Sequence, residues 1–310
     1  MTETQWNQEK RAETSGEARP VGGASGFKPG DESEPQPIYD MGSPGGERYA
    51  RAALPLRIVF GDMAGFVFLV WFPIFFCFFL GWTGWLGTAR MPGMPFNVIQ
   101  LVVAAIIAFP PWIVLWRHLV RGRLWDGILD MFLWAIWEST VMIMFCYFFP
   151  GIAGRILWHA SDYWTEMSNW IATGVGAESH WVQWLPIHVR HLIMLLIGAL
   201  IFGYPALIMG VFQLNYMNYY VAQCMLNSAN GLLVLPIAWN FWGIVRVAGY
   251  IVLASTVFQL VFKWIRRAPA TAAAIVGGFV IGLLLIVLDG YLKWQFAEQV
   301  RITLKLLVNV

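Results

Sequence analysis

The chain has 310 residues, of which 58% are apolar and only 12% charged, with 18 Trp and 22 Phe. A soluble globular chain carries about 25% charged residues, so this one cannot cover its surface in water. The balance argues against a soluble enzyme, a secreted disulfide scaffold and a free nucleic-acid binder, and points to an all-α polytopic membrane protein. Residues 1–56 hold nine of the 18 acidic and six of the 20 basic groups. The rest of the chain divides nine acids and 14 bases among long uncharged runs, and apolar runs of about 18 residues or more read as transmembrane helices.

Residues 1–56 are rich in Gly, Pro, Ser and Glu, with Trp6, Phe27, Tyr39 and Tyr49 as their aromatics. Such a segment cannot bury enough apolar area to offset its ordering entropy, so a disordered cytoplasmic tail is expected. The first apolar run starts too far from the N-terminus for a cleaved signal peptide. A transmembrane domain is expected over 57–290. Span 1 is predicted over 63–86, span 2 over 95–116 and span 3 over 127–150. An extracytoplasmic loop over 151–185 follows. No Lys, Arg, Asp or Glu occurs between Arg190 and Arg246, an interval of 55 residues. That is too long for one span, and Gly203-Tyr204-Pro205 divides it into span 4 (186–202) and span 5 (206–226). Span 6 is predicted over 240–262 and span 7 over 271–287.

Three basic clusters test the count: Arg48/Arg51/Arg57, Arg117/Arg121/Arg123 and Lys263/Arg266/Arg267. Seven spans with a cytoplasmic N-terminus put all three on the cytoplasmic side, as the positive-inside rule asks. The six-span alternative, which merges spans 4 and 5, leaves the third cluster outside. An inner or cytoplasmic membrane is the expected location. Ala274, Gly278 and Gly282 form a small-residue stripe on span 7, read mainly as packing within the bundle. Residues 291–310 read either as an interfacial helix or, from the alternation of Val300, Ile302, Leu304, Leu306, Val308 and Val310, as a strand. Cys77, Cys146 and Cys224 lie in apolar runs without CxxC spacing and read as packing residues.

Few residues inside the spans carry chemistry. Glu138 falls near the middle of span 3 and Arg246 inside span 6, about 6 Å apart in depth. An ionisable group there must be paired or is functional. The main expectation is a Glu138–Arg246 ion pair locking spans 3 and 6, with a proton or substrate relay as the alternative. Asn215 and Tyr219 share a face of span 5 at four-residue spacing and need polar partners, because unpaired amides in lipid are costly. His159, Asp162 and Glu166 share one helical face, and His188 and His191 another, a set able to hold a metal at the outer surface. Met91 and Met94 could add thioether ligands. No spacing matches a specific metal motif, no helix-interior histidine pair suits a haem, and there is no phosphate loop or nucleophile elbow. No cofactor is therefore predicted beyond that possible metal.

Three functional classes follow. The favoured one is a non-catalytic scaffold or accessory subunit, with the bilayer and other membrane subunits as partners and no nucleic acid. The second is a transporter or channel with a polar site around Glu138, Arg246, Asn215 and Tyr219. The third is a membrane enzyme or metal-binding protein that uses the His159–His191 cluster.

Overall fold

The computed structural model describes residues 63–84, 97–176 and 178–310. The expected tail over 1–56, the Arg48/Arg51/Arg57 cluster and Met91/Met94 lie outside the described residues. Ten helices follow one another among those described: α1 (Met63–Thr83), α2 (Val98–Val120), α3 (Leu124–Phe148), α4 (Pro150–Ile156), α5 (Ala160–Thr173), α6 (Trp181–Leu200), α7 (Tyr204–Leu226), α8 (Gly231–Ala238), α9 (Phe241–Arg266) and α10 (Ala272–Leu307). Five of them, α2, α3, α6, α9 and α10, are long and apolar enough to cross a membrane. The α7 helix has the length, but its run Gln213–Tyr220 makes it more polar, and it is instead the buried centre of the bundle, packed against α2, α3, α5, α6 and α8.

Local chemistry fixes the helix ends. Asn97 and Gln100 close a reciprocal capping box on α2 (2.9 and 3.0 Å), which satisfies two orphan donors. Asn240 caps α9 at the Gly243 amide and Thr271 caps α10 at Ala274. Gly174 ends α5 at φ +78°, a left-handed position that glycine adopts without strain.

The α2–α3 and α9–α10 turns meet. A Cβ on Gly122 would lie 2.5 Å from the Pro269 carbonyl oxygen, and the Gln259 amide donates to the Leu119 carbonyl at 3.0 Å. The Arg117/Arg121/Arg123 and Lys263/Arg266/Arg267 clusters therefore share one end of the bundle, as the charge pattern requires. The α6–α7 turn does not reach that end. Phe202 accepts a hydrogen bond from the Trp112 indole at 2.9 Å, and Gly203 presses on the Phe258 ring. Trp112 and Phe258 each lie eight residues before the ends of α2 and α9, so the turn stops about 12 Å short of the basic face. A side chain on Gly203, whose φ is +71°, would strike Phe258.

Two expectations about the chain after residue 180 need correction. Residues 291–307 form no strand: they continue α10, which at 36 residues is about 54 Å long against a hydrocarbon core of about 30 Å. The alternation of apolar residues there reflects packing on α5 and α8. Within 291–310 the one strand-like feature is an isolated bridge between Val308 and Ser228, beside an Asn309 amide that donates to Asn227 at 2.7 Å. Span 4 begins earlier than expected, because Pro186 sits within α6 rather than at its start. The small-residue stripe packs internally, with Gly278 against Thr256 and Gly282 against Leu253. All three cysteines are free and buried.

Candidate functional site

The Glu138–Arg246 pair expected from the sequence does not form. Arg246 reaches α10 instead, donating from Nε to Asp289 Oδ2 at 2.9 Å and from Nη2 to Asp289 Oδ1 at 3.1 Å. This two-pronged contact is the geometry that suits guanidinium and carboxylate. One turn later on α10, Lys293 is fully buried. Its Nζ lies 2.5 Å from Glu178 Oε2, 3.2 Å from His188 Nε2 and 4.9 Å from the centre of a Trp184 ring. Two cation–carboxylate pairs thus stand one above the other, each joining α10 to a different part of the chain. Ending the last span at Val287 hid Asp289 and Lys293, and Glu178 reads from the sequence only as one acid of the loop before span 4. The signal was present: Gly278, Gly282, Asp289 and Lys293 recur at spacings of four, seven and four, so they share one helix face.

Glu138 belongs to a separate, less charged arrangement. Its Oε2 accepts from Asn218 Nδ2 at 3.3 Å, and Asn218 Oδ1 accepts from the Trp239 indole at 3.2 Å. Glu138 Oε1 and Asn215 Oδ1 are buried without a partner. Tyr219 faces the start of α5, where its hydroxyl lies against Gly154 beside Ser161. Glu138, Arg246, Asn215 and Tyr219 therefore do not make one site.

The metal-ligand candidates are likewise dispersed. His159 Nδ1 faces Asp162 at 3.6 Å, His188 faces Lys293, and no contact joins Glu166 to His159. Among the described residues no three His, Cys, Asp or Glu side chains gather in a metal-binding group.

What the structure does assemble is a cleft. A narrow cavity of about 80 Å³ lies between α2, α3, α6, α7 and α9. Its polar lining is His191 of α6, Gln213 and Tyr216 of α7, and Arg246, Tyr250 and Ser255 of α9; most of the rest is apolar, down to Leu115 and Phe258. From Arg246 to Phe258 the cleft follows α9 for about 18 Å. Arg246 Nη1 takes no part in the Asp289 pair, and the buried Gln213 Nε2 has no hydrogen-bond partner. An unpartnered buried amide is costly unless something in the cleft meets it. Behind Tyr216 stands Tyr163 of α5, ring centres 4.6 Å apart. Burial holds the Tyr163 phenol well above its usual pKa, with Glu178 adding to the rise, so it stays a neutral donor.

A second cavity of about 290 Å³ opens at the end of the bundle away from the basic turns. Trp170, Trp181, Trp184 and Trp294 line it, with Glu178 and Lys293. Arg301 and Lys305 hold its approach in place by donating to the Ile171 and Ala172 carbonyls, at 3.1 and 2.7 Å, at the C-terminal end of α5. Cations suit a helix C-terminus because its carbonyls carry unsatisfied negative charge. Compared with protein-family models, with curated proteins and with solved structures, the chain matches none.

Proposed function

We propose that this protein is an integral membrane protein of the transporter class that binds an amphiphilic small molecule in the cleft between α6, α7 and α9. One observation carries the reading: a long apolar slot with hydrogen-bonding groups at one end, where Gln213 Nε2 lacks a partner. Ligand sites have this character, apolar walls with a few convergent polar groups. The scaffold or accessory-subunit reading draws on tails able to dock and on a scarcity of buried ionisable groups. Glu138, Asp289 and Lys293 are buried and Arg246 is nearly so, which takes away the second of these grounds.

The proposed topology has α1, α2, α3, α9 and α10 crossing the bilayer. The α6–α7 hairpin enters from the side opposite the basic turns and reverses inside. This keeps the parity of the seven-span count. The positive-inside rule then places the basic turns, and the start of α1, on the cytoplasmic side.

The test is occupancy. A Cβ on Gly210, which lines the cleft, meets nothing within 4 Å, so Gly210→Phe is expected to occupy the slot. Organic extraction of purified wild type, followed by mass spectrometry, is expected to yield a stoichiometric amphiphile that Gly210→Phe lacks. Equal yields from both proteins would overturn the reading.

A further inference from the structure

The two ion pairs connect the two cavities. Glu178 and Lys293 line the aromatic vestibule, Lys293 follows Asp289 by one turn of α10, and Asp289 holds Arg246 at the polar end of the cleft. The pairs differ in how firmly they are held. Asp289 lies on a helix, is gripped by two hydrogen bonds, and has a side chain only 4% exposed. Glu178 lies outside any helix, two residues beyond Gly176, and meets Lys293 through one oxygen. If Glu178 turned away, its carboxylate would face the vestibule, but Lys293 would be left a buried, unpaired cation, which is strongly unfavourable. An incoming anion removes that cost by taking the place of Glu178, whereas a neutral or cationic headgroup cannot.

We propose that Lys293 and Arg246 are successive steps for an anionic headgroup, a carboxylate or phosphate on an apolar tail, which enters through the tryptophan-lined vestibule and displaces Glu178 from Lys293. The inference rests on the amphiphile-binding reading above and names its ligand class and port. From Lys293 the next cation lies about 6 Å deeper along α10, where Arg246 Nη1 and the Gln213 amide offer donors and the cleft beyond them accepts the tail. The four tryptophans suit the port, since indoles favour the boundary between water and lipid.

The test uses the full chain in zwitterionic lipid nanodiscs, with laurate, dodecanol and dodecyltrimethylammonium as probes. Val175, beside Gly176, is 68% exposed and all three native cysteines are buried, so Val175→Cys takes a single nitroxide label. Laurate is expected to raise the mobility of that label, and the other two probes are not. Glu178→Gln is expected to tighten laurate binding about tenfold if the native pair is closed nine-tenths of the time, with dodecanol binding unchanged. Nanodiscs that contain phosphatidylglycerol and no laurate separate the two sources: mobilisation there identifies a lipid headgroup, and its absence identifies a free acid.

Unchanged or weaker laurate binding in Glu178→Gln, or a label that responds equally to laurate and dodecanol, would overturn the inference. If Glu178→Gln does not fold, the label measurement on the otherwise native chain decides alone. Should Gly210→Phe leave both laurate and dodecanol binding intact, the cleft reading itself fails, which is distinguishable from failure of the port alone.

Discussion

The helices α7 and α10 solve the problem of polarity in an apolar bundle in opposite ways. The α7 helix buries 14 of its 23 residues, among them Gln213, Asn215, Asn218 and Gln223, and carries no charge. The α10 helix buries six of 36, and two of those six are Asp289 and Lys293. The central helix thus takes neutral amides, of which Asn218 is hydrogen-bonded to Glu138 and Trp239, and whose desolvation costs less than that of a full charge. The peripheral helix buries full charges, Asp289 and Lys293, on the face turned to α9 and α6, where it leaves its apolar first half. On α10 each buried charge has an opposite charge beside it, Arg246 for Asp289 and Glu178 for Lys293.

Substitutions can break or sharpen this contrast. The largest effect is expected from Asp289→Ala, which strands Arg246: a loss of about 3–5 kcal/mol, read from denaturant unfolding in detergent micelles. The double variant Asp289→Ala/Arg246→Met should recover most of it. Next comes Gly282→Val, whose Cβ would lie 2.5 Å from Leu253 Cγ; overpacking there should cost about 3 kcal/mol. Gly277→Val, where the nearest atom is 3.8 Å away on Trp125, should leave the melting temperature almost unmoved. In α7, Asn218→Leu removes the partner of both Glu138 and Trp239 and should cost about 2 kcal/mol. Asn215→Leu, whose Oδ1 has no partner to lose, should be close to neutral. An Asn215 effect as large as that of Asn218 would mean that Asn215 meets a bound molecule. The smallest effect is Lys305→Ala, which uncaps the end of α5 and should cost under about 1 kcal/mol, seen as faster amide exchange over 168–174.

The same contrast explains what the sequence made legible. Membrane character, the all-helical class and the shared side of two basic clusters follow from hydropathy and charge, which are local properties. The polar stripe of α7 was visible too, because Asn and Tyr inside an apolar run stand out. The charged face of α10 was not, because Asp289 and Lys293 sit just past the end of an apolar run and look like the polar flank of a span. Whether such a flank folds back or continues as helix depends on what packs against it, here α5, α8 and the segment holding Glu178. The partner of Arg246 was misjudged for a related reason: matching depth with Glu138 was necessary for contact, but α9 turns Arg246 toward α10. The cleft, being a property of five helices together, has no sequence signal beyond Gln213.

The most direct test of the account is a high-resolution map of the protein in a lipid bilayer, with attention to the space between α6, α7 and α9. The account predicts elongated density there, with its polar end within hydrogen-bonding distance of Gln213 and Arg246 and its tail running toward Phe258. A cleft holding only water, or collapsed so that Gln213 finds a partner within the protein, would contradict it.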